Sequence, residues 1–238
     1  MATISDNLQA VRNRIAAAAR AAGRDPAAIT LLAVSKTHPA ARIVEAIEAG
    51  QRAFGENYVQ EAVRKMDALG GSPAPATALE WHLIGPLQSN KTRVVAERFD
   101  WVQTIDRHKT AERLSAQRPL TRTPLNVLVQ VNVSGEASKS GVEPQAALEL
   151  AQAVARLPRL RLRGLMAIPE PTDDAALQRA RFRLLRELLE AVQARGLAVD
   201  TLSMGMSDDM EAAIAEGATM VRIGTAIFGA RERAQTAA

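Results

Sequence analysis

Five lysines stand against twenty-five arginines in this 238-residue chain, and one of the five, Lys36, ends the apolar run Leu31-Leu32-Ala33-Val34-Ser35. Where only positive charge is wanted, such a composition would supply arginine. Lysine can lose its proton and attack a carbonyl, and arginine cannot. Burial disfavours the ammonium form, and amines that form Schiff bases are activated in this way. The competing reading is a strand-end lysine whose stem is covered while its head reaches water, and position by itself favours that reading.

Other residues with chemical capacity gather near the C-terminus. Arg222 lies between Val221 and Ile223 in an apolar run, followed by Gly224 and Thr225. A glycine lets an anion approach the backbone closely, and free amides at a turn beginning there would point at it, with the Thr225 hydroxyl beside them. Ser203, in Leu202-Ser203-Met204-Gly205, can add a second hydroxyl. Asp208 with Glu211 reads as a helix N-cap pair, and the acids around it would repel an anion, so phosphate is expected at the turn after Arg222. Alternation along a strand places Arg222 on the face of Met220, and Lys36 on the face of Val34 and Leu32. A buried guanidinium needs a partner, which could be Glu56 or a ligand acceptor.

A Schiff-base lysine, a phosphate cup and a second polar donor suit a phosphorylated aldehyde. Pyridoxal 5′-phosphate (PLP) fits, with Lys36 on the aldehyde, the turn at Gly224 on the phosphate and Arg222 at the ring nitrogen. The same parts suit a Schiff-base aldolase acting on a sugar phosphate, and the residues alone leave both open.

The elements that must position these residues alternate without a break. Short apolar strands are expected at 30–35, 52–54, 80–84, 101–104, 126–131, 160–165, 201–203 and 219–223. Amphipathic helices are expected at 39–49, 57–69, 89–98, 107–117, 144–155, 174–195 and 208–216, with a short helical turn near Gly224. An extra N-terminal helix carries Ile4, Leu8, Val11 and Ile15 at helical spacing. Strands alternating with helices imply parallel pairing, and eight such units in this length imply a closed (β/α)8 TIM barrel forming a single domain over 1–238. A doubly wound open sheet is the alternative. In a barrel the active site is built from residues just after each strand, which is where Lys36, Asn57, Ser203, Arg222, Gly224 and Thr225 fall.

Composition excludes other classes. The chain has no cysteine, so disulfides and thiol chemistry are absent, in keeping with a reducing cytoplasm. Its three histidines, His38, His82 and His108, form no His-x-x-x-His pair, and no metal site is expected. The net charge of +4 is spread out, and two Trp, one Tyr and four Phe give no stacking platform for nucleic acid. No apolar run approaches the ~18–20 residues of a membrane span.

Six stretches in order resemble the pyridoxal phosphate homeostasis proteins: Leu31 to Thr37, Phe54-Gly55-Glu56-Asn57-Tyr58, Trp81 to Lys91, Gly164-Leu165-Met166-Ala167-Ile168-Pro169, Leu202 to Asp209, and Val221 to Gly229. The resemblance implies a barrel like the N-terminal domain of alanine racemase, with PLP as an aldimine on Lys36. It implies phosphate held by Ser203, Gly224 and Thr225, Arg222 facing the pyridine nitrogen, and Asn57 near the ring substituents. His38 stands where some relatives carry a second lysine, which puts any accessory role for that lysine in doubt here. Lys139, in Ser138-Lys139-Ser140-Gly141, matches a family motif. It reads as an exposed loop lysine or as a transient second acceptor for the aldehyde.

Catalysis on PLP uses a protonated ring nitrogen as electron sink, and an arginine offers no proton acceptor and does not readily protonate it. A two-base racemase needs an acid/base on each face of the substrate carbon. The racemase family takes its second base from a tyrosine of a further β domain, which the chain is expected to lack; its own Tyr58 is expected to pack. The expectation is therefore a monomeric, cytoplasmic carrier that buffers PLP and hands it to apo-enzymes without turnover. A weak PLP-dependent racemase is the alternative, and the phosphosugar aldolase comes next.

Overall fold

A computed structural model describes residues 2–70, 79–136 and 140–229. Lys139 lies outside these residues. The chain opens with helix α1 (Ile4–Ala21), started by a capping box in which the Thr3 hydroxyl accepts from the Asp6 amide and the Asp6 carboxylate accepts from the Thr3 amide. Its buried stripe is Ile4, Leu8, Val11, Ile15 and Ala19, as the spacing predicts, and it packs on the helices that precede and follow the barrel's closing seam.

Eight β/α units follow: β1 (Thr30–Val34) and α2 (Ala40–Glu48), β2 (Ala53–Glu56) and α3 (Val59–Gly70), β3 (Glu80–Leu83) and α4 (Thr92–Arg98), β4 (Trp101–Ile105) and α5 (His108–Gln117), β5 (Leu125–Gln130) and α6 (Pro144–Ala155), β6 (Leu160–Met166) and α7 (Ala175–Ala194), β7 (Thr201–Ser203) and α8 (Met210–Ala215), β8 (Met220–Ile223) and α9 (Thr225–Phe228). Each strand pairs in parallel with the next, and β8 returns to β1 to close the barrel. The open-sheet alternative is thereby removed. Element bounds differ from expectation by a residue or two at most ends, and the stretch 89–98 divides into a 3-10 turn, Ser89–Lys91, and α4.

Alternation sorts the strand residues into two cores. Outward residues such as Ala33, Phe54, Leu83, Val127, Leu165 and Val221 join the large apolar layer under the helices. Inward residues form two small lumen clusters, one of Leu32, Val34, Ala53, Ile84 and Met220 and one of Trp101, Leu128 and Met166. The seam register pairs Leu32 with Arg222 and Ala33 with Ile223. Arg222 therefore lies beside Leu32 on the lumen face expected of it, and Lys36 follows the end of the neighbouring strand β1.

Gly164 has a steric reason to be glycine. Its φ is +151°, and a Cβ there would lie 1.9 Å from the Thr201 carbonyl oxygen, on the strand it pairs with. Gly164→Ala is expected to cost at least ~2 kcal/mol of unfolding free energy, measured as a lower urea midpoint.

Candidate functional site

Lys36 follows β1 on a tight turn. The Ser35 amide donates to the Gly55 carbonyl (3.0 Å), which continues the β1–β2 ladder, and the His38 amide donates back to the Ser35 carbonyl (3.1 Å). Between them Thr37 takes a φ of +68°, a left-handed conformation that β-branched residues rarely adopt. Lys36 itself is half-buried. The His38 ring stacks on Phe228 at 5.1 Å, which ties this turn to the helix that follows β8.

Arg222 is 3% exposed. Its Nη1 donates to Ser203 Oγ (2.8 Å) and its Nη2 to the Ala167 carbonyl (2.7 Å). Burial pulls its pKa down to about 10, with Asp209 pulling the other way, so it remains a cation near neutral pH. The chain of bonds continues inward. Ser203 Oγ donates to Gln103 Oε1 (2.6 Å), and Gln103 Nε2 lies 2.9 Å from His82 Nδ1. Since Gln103 uses its oxygen to accept and its nitrogen to donate, His82 Nδ1 must accept, which leaves the imidazole proton on Nε2. Burial lowers the His82 pKa against the pull of Glu80 and keeps the ring neutral. The two lumen clusters contact this column, Met220 Sδ through Gln103 (3.1 Å) and Trp101 by stacking on His82 (5.0 Å).

Of the two partners open to Arg222 in the sequence, Glu56 is not met; the guanidinium bonds Ser203 and Ala167 instead. Gly55 faces the lumen, where its hydrogen sits against Leu32 and Ile84, so the next residue, Glu56, faces the helices. There Glu56 Oε1 accepts from Ser35 Oγ (2.6 Å) and Lys65 Nζ (2.7 Å). Burial raises the Glu56 pKa, opposed by Lys65 and Ser35.

The remaining expected residues lie around the same mouth. Ser203 is fully buried, with its hydroxyl engaged by Arg222 and Gln103 below the mouth. Gly224 seats the turn after β8 against the end of β1, since a Cβ there would lie 3.2 Å from the Val34 carbonyl oxygen. Thr225 opens α9, and the Ile227 and Phe228 amides both return to the Gly224 carbonyl. The amides of Thr225 and Ala226 precede that first intrahelical bond. Asn57 is half-buried, and its Oδ1 is buried with no hydrogen-bond partner. Gly85 backs it closely, as a Cβ there would lie 2.3 Å from the Asn57 carbonyl oxygen.

Two local expectations are corrected. Asp208 does not cap α8; the cap position is Asp209, whose carboxylate accepts from the Met206 amide. Tyr58 is 57% exposed and does not pack. Sequence reasoning also passed over Gln103, His82, Glu61 and Lys65. The signal for Gln103 is a lone amide in the strand Trp101-Val102-Gln103-Thr104-Ile105. Gln103→Leu would leave the buried Ser203 hydroxyl and His82 Nδ1 short of a partner. It is expected to cost ~1–3 kcal/mol in urea unfolding.

The family model for the alanine racemase N-terminal domain matches residues 7–232. The chain is 62% identical over 232 residues to the pyridoxal phosphate homeostasis protein of Pseudomonas aeruginosa, covering 98% of this chain and 97% of that one. It is 59% identical over 235 residues to the protein of the same name in Escherichia coli K12, covering 98% of each. Among solved structures, PipY of Synechococcus elongatus PCC7942 with PLP bound superposes with a TM-score of 0.81 at 38% identity, covering 95% of this chain and all of that one.

Proposed function

The chain belongs to the pyridoxal phosphate homeostasis protein family, and we propose that it binds PLP at the C-terminal mouth of its barrel and acts in intracellular PLP homeostasis. The observation that carries this reading is the seam between β1 and β8. It lays the strand that leads into the half-buried Lys36 along the strand that carries the buried Arg222, and seats Gly224, which opens the α9 turn, against Val34. The residues present fit the cofactor: Asn57 Oδ1 is a buried polar atom still lacking a partner, and Arg222 is a fixed cation at the bottom of the mouth.

When bound, PLP supplies an aldehyde that an amine can capture as a Schiff base, and a ring nitrogen that must be protonated to draw electrons strongly. Lys36 would hold the aldehyde. The α9 turn at Gly224 and Thr225 would hold the phosphate, and Asn57 would meet a ring substituent. Ser203 is proposed to hold the phosphate with Gly224 and Thr225, and its hydroxyl also accepts from Arg222 and so fixes that side chain. Arg222 would donate a hydrogen bond at the ring nitrogen. A guanidinium titrating at about 10 keeps its own proton at neutral pH and does not protonate that atom. We therefore read the protein as a carrier that buffers PLP in the cytoplasm, works as a monomer and passes the cofactor to apo-enzymes without turnover. Lys139 as a second, transient acceptor belongs to the same proposal.

An absorbance spectrum of the purified protein incubated with PLP, before and after borohydride, tests the site. A yellow band is expected that reduction converts to a pyridoxyl adduct on Lys36, located by peptide mass, and Lys36→Ala should carry no label there. A colourless protein that stays unlabelled would remove the cofactor. Saturable interconversion of a D- and L-amino acid, lost in Lys36→Ala, would replace the carrier with a racemase.

A further inference from the structure

Behind the Lys36 turn lies an ion cluster that no part of the binding site accounts for. Lys65, in the middle of α3, is 6% exposed. Its ammonium makes three hydrogen bonds, to the Ser35 carbonyl (2.8 Å), Glu56 Oε1 (2.7 Å) and Glu61 Oε1 (2.6 Å), which uses all its donors. Both carboxylates reach onward to the turn. Glu56 Oε1 also accepts from Ser35 Oγ (2.6 Å), and Glu61 Oε1 also accepts from the Thr37 amide (2.6 Å). The two residues that flank Lys36 are thus both bound to one buried cluster.

We infer that Lys65, Glu61 and Glu56 are positioning residues, which hold the strained turn in the geometry that lets Lys36 capture an aldehyde. The inference rests on the PLP reading above. Three observations support it. Burying charges in a protein interior is expensive, and apolar side chains of similar volume commonly fill such a space at no loss of stability, so a pure packing role does not call for this cluster. Its bonds converge on one turn, at Ser35 and Thr37. And Thr37 holds a left-handed φ of +68° that persists only where the surroundings over-determine it. The Glu61 carboxylate on the Thr37 amide is such a restraint, and the Lys65 ammonium fixes that carboxylate.

In the capture itself the Lys36 nitrogen adds to the aldehyde carbon, a C=N bond forms, and the aldehyde oxygen leaves as water with the two hydrogens of the amine. The reaction is sensitive to where the amine starts. The cluster would set that starting point without touching the cofactor.

The test compares PLP with pyridoxine 5′-phosphate, the alcohol that occupies the same contacts and has no aldehyde to capture. Glu61 is partly exposed (21%), so its variants should fold. Glu61→Ala is expected to slow borohydride-trapped labelling of Lys36 by about tenfold or more, the scale of one lost charge-assisted hydrogen bond, with the affinity for pyridoxine 5′-phosphate unchanged. Glu61→Gln, whose amide oxygen can still accept from the Thr37 amide, should restore labelling. Thr37→Gly in the Glu61→Ala background should restore part of it, because glycine takes a positive φ freely. Unchanged labelling in Glu61→Ala, or equal weakening of both ligands, would overturn the inference. If the native chain takes no label on Lys36, the PLP reading fails first, and that result is distinct from either.

Discussion

A guanidinium inside a barrel lumen constrains everything near it. Arg222 can only donate, so each side chain that meets it must accept, and the next must accept in turn. This orders the column Arg222, Ser203, Gln103, His82 in one direction, from the mouth toward the floor. Each link comes from a different strand, β8, β7, β4 and β3. Two of the bonds join neighbouring strands, and the third, Ser203 to Gln103, crosses the lumen from β7 to β4, which packing of small lumen clusters alone would do less specifically. A buried network satisfied at these links specifies one arrangement, and the arginine is held with little freedom to swing.

Strand parity separates a second charge system from the first. Glu56 follows lumen-facing Gly55 and so points outward, where Lys65 of α3 meets it. The two cations, Arg222 in the lumen and Lys65 under the helices, bracket the end of β1 from opposite faces. Lys36 sits on the turn between them. The lumen system shapes what a ligand would meet, and the outer system shapes the backbone that presents Lys36.

Much of this was legible in the sequence. The unbroken alternation of apolar runs and amphipathic helices specified the barrel, and alternation alone put Arg222 on the lumen face beside Leu32. The partners were harder to read. Glu56 could be removed as Arg222's partner by the same parity argument, had Gly55 been taken as the lumen residue. That Lys65 would replace it depends on how far α3 docks down the barrel wall, which no local pattern encodes. The further partners of Ser203 were hidden for a similar reason: a hydroxyl at a strand end looks available to an anion alone, and here it also meets the arginine beside it and Gln103 across the lumen. His82 and Gln103 are far apart in sequence and on adjacent strands, and only the closed sheet brings them to 2.9 Å.

The direction of the lumen column bears on holding versus turnover. A residue that drives amino-acid chemistry from the ring nitrogen must supply a proton there. With PLP placed as proposed, the ionised group facing that atom would be Arg222, a cation that donates without releasing, and the column behind it runs away from the mouth to a neutral imidazole. A carboxylate meets that column only at its far end, where Glu80 Oε2 lies 3.6 Å from His82 Nε2. Asp209 acts on Arg222 only through space, and burial raises its own pKa. On the proposed reading, a site so arranged would hold an aldehyde through Lys36 while giving its ring little help as an electron sink. That combination suits keeping a reactive cofactor better than using it.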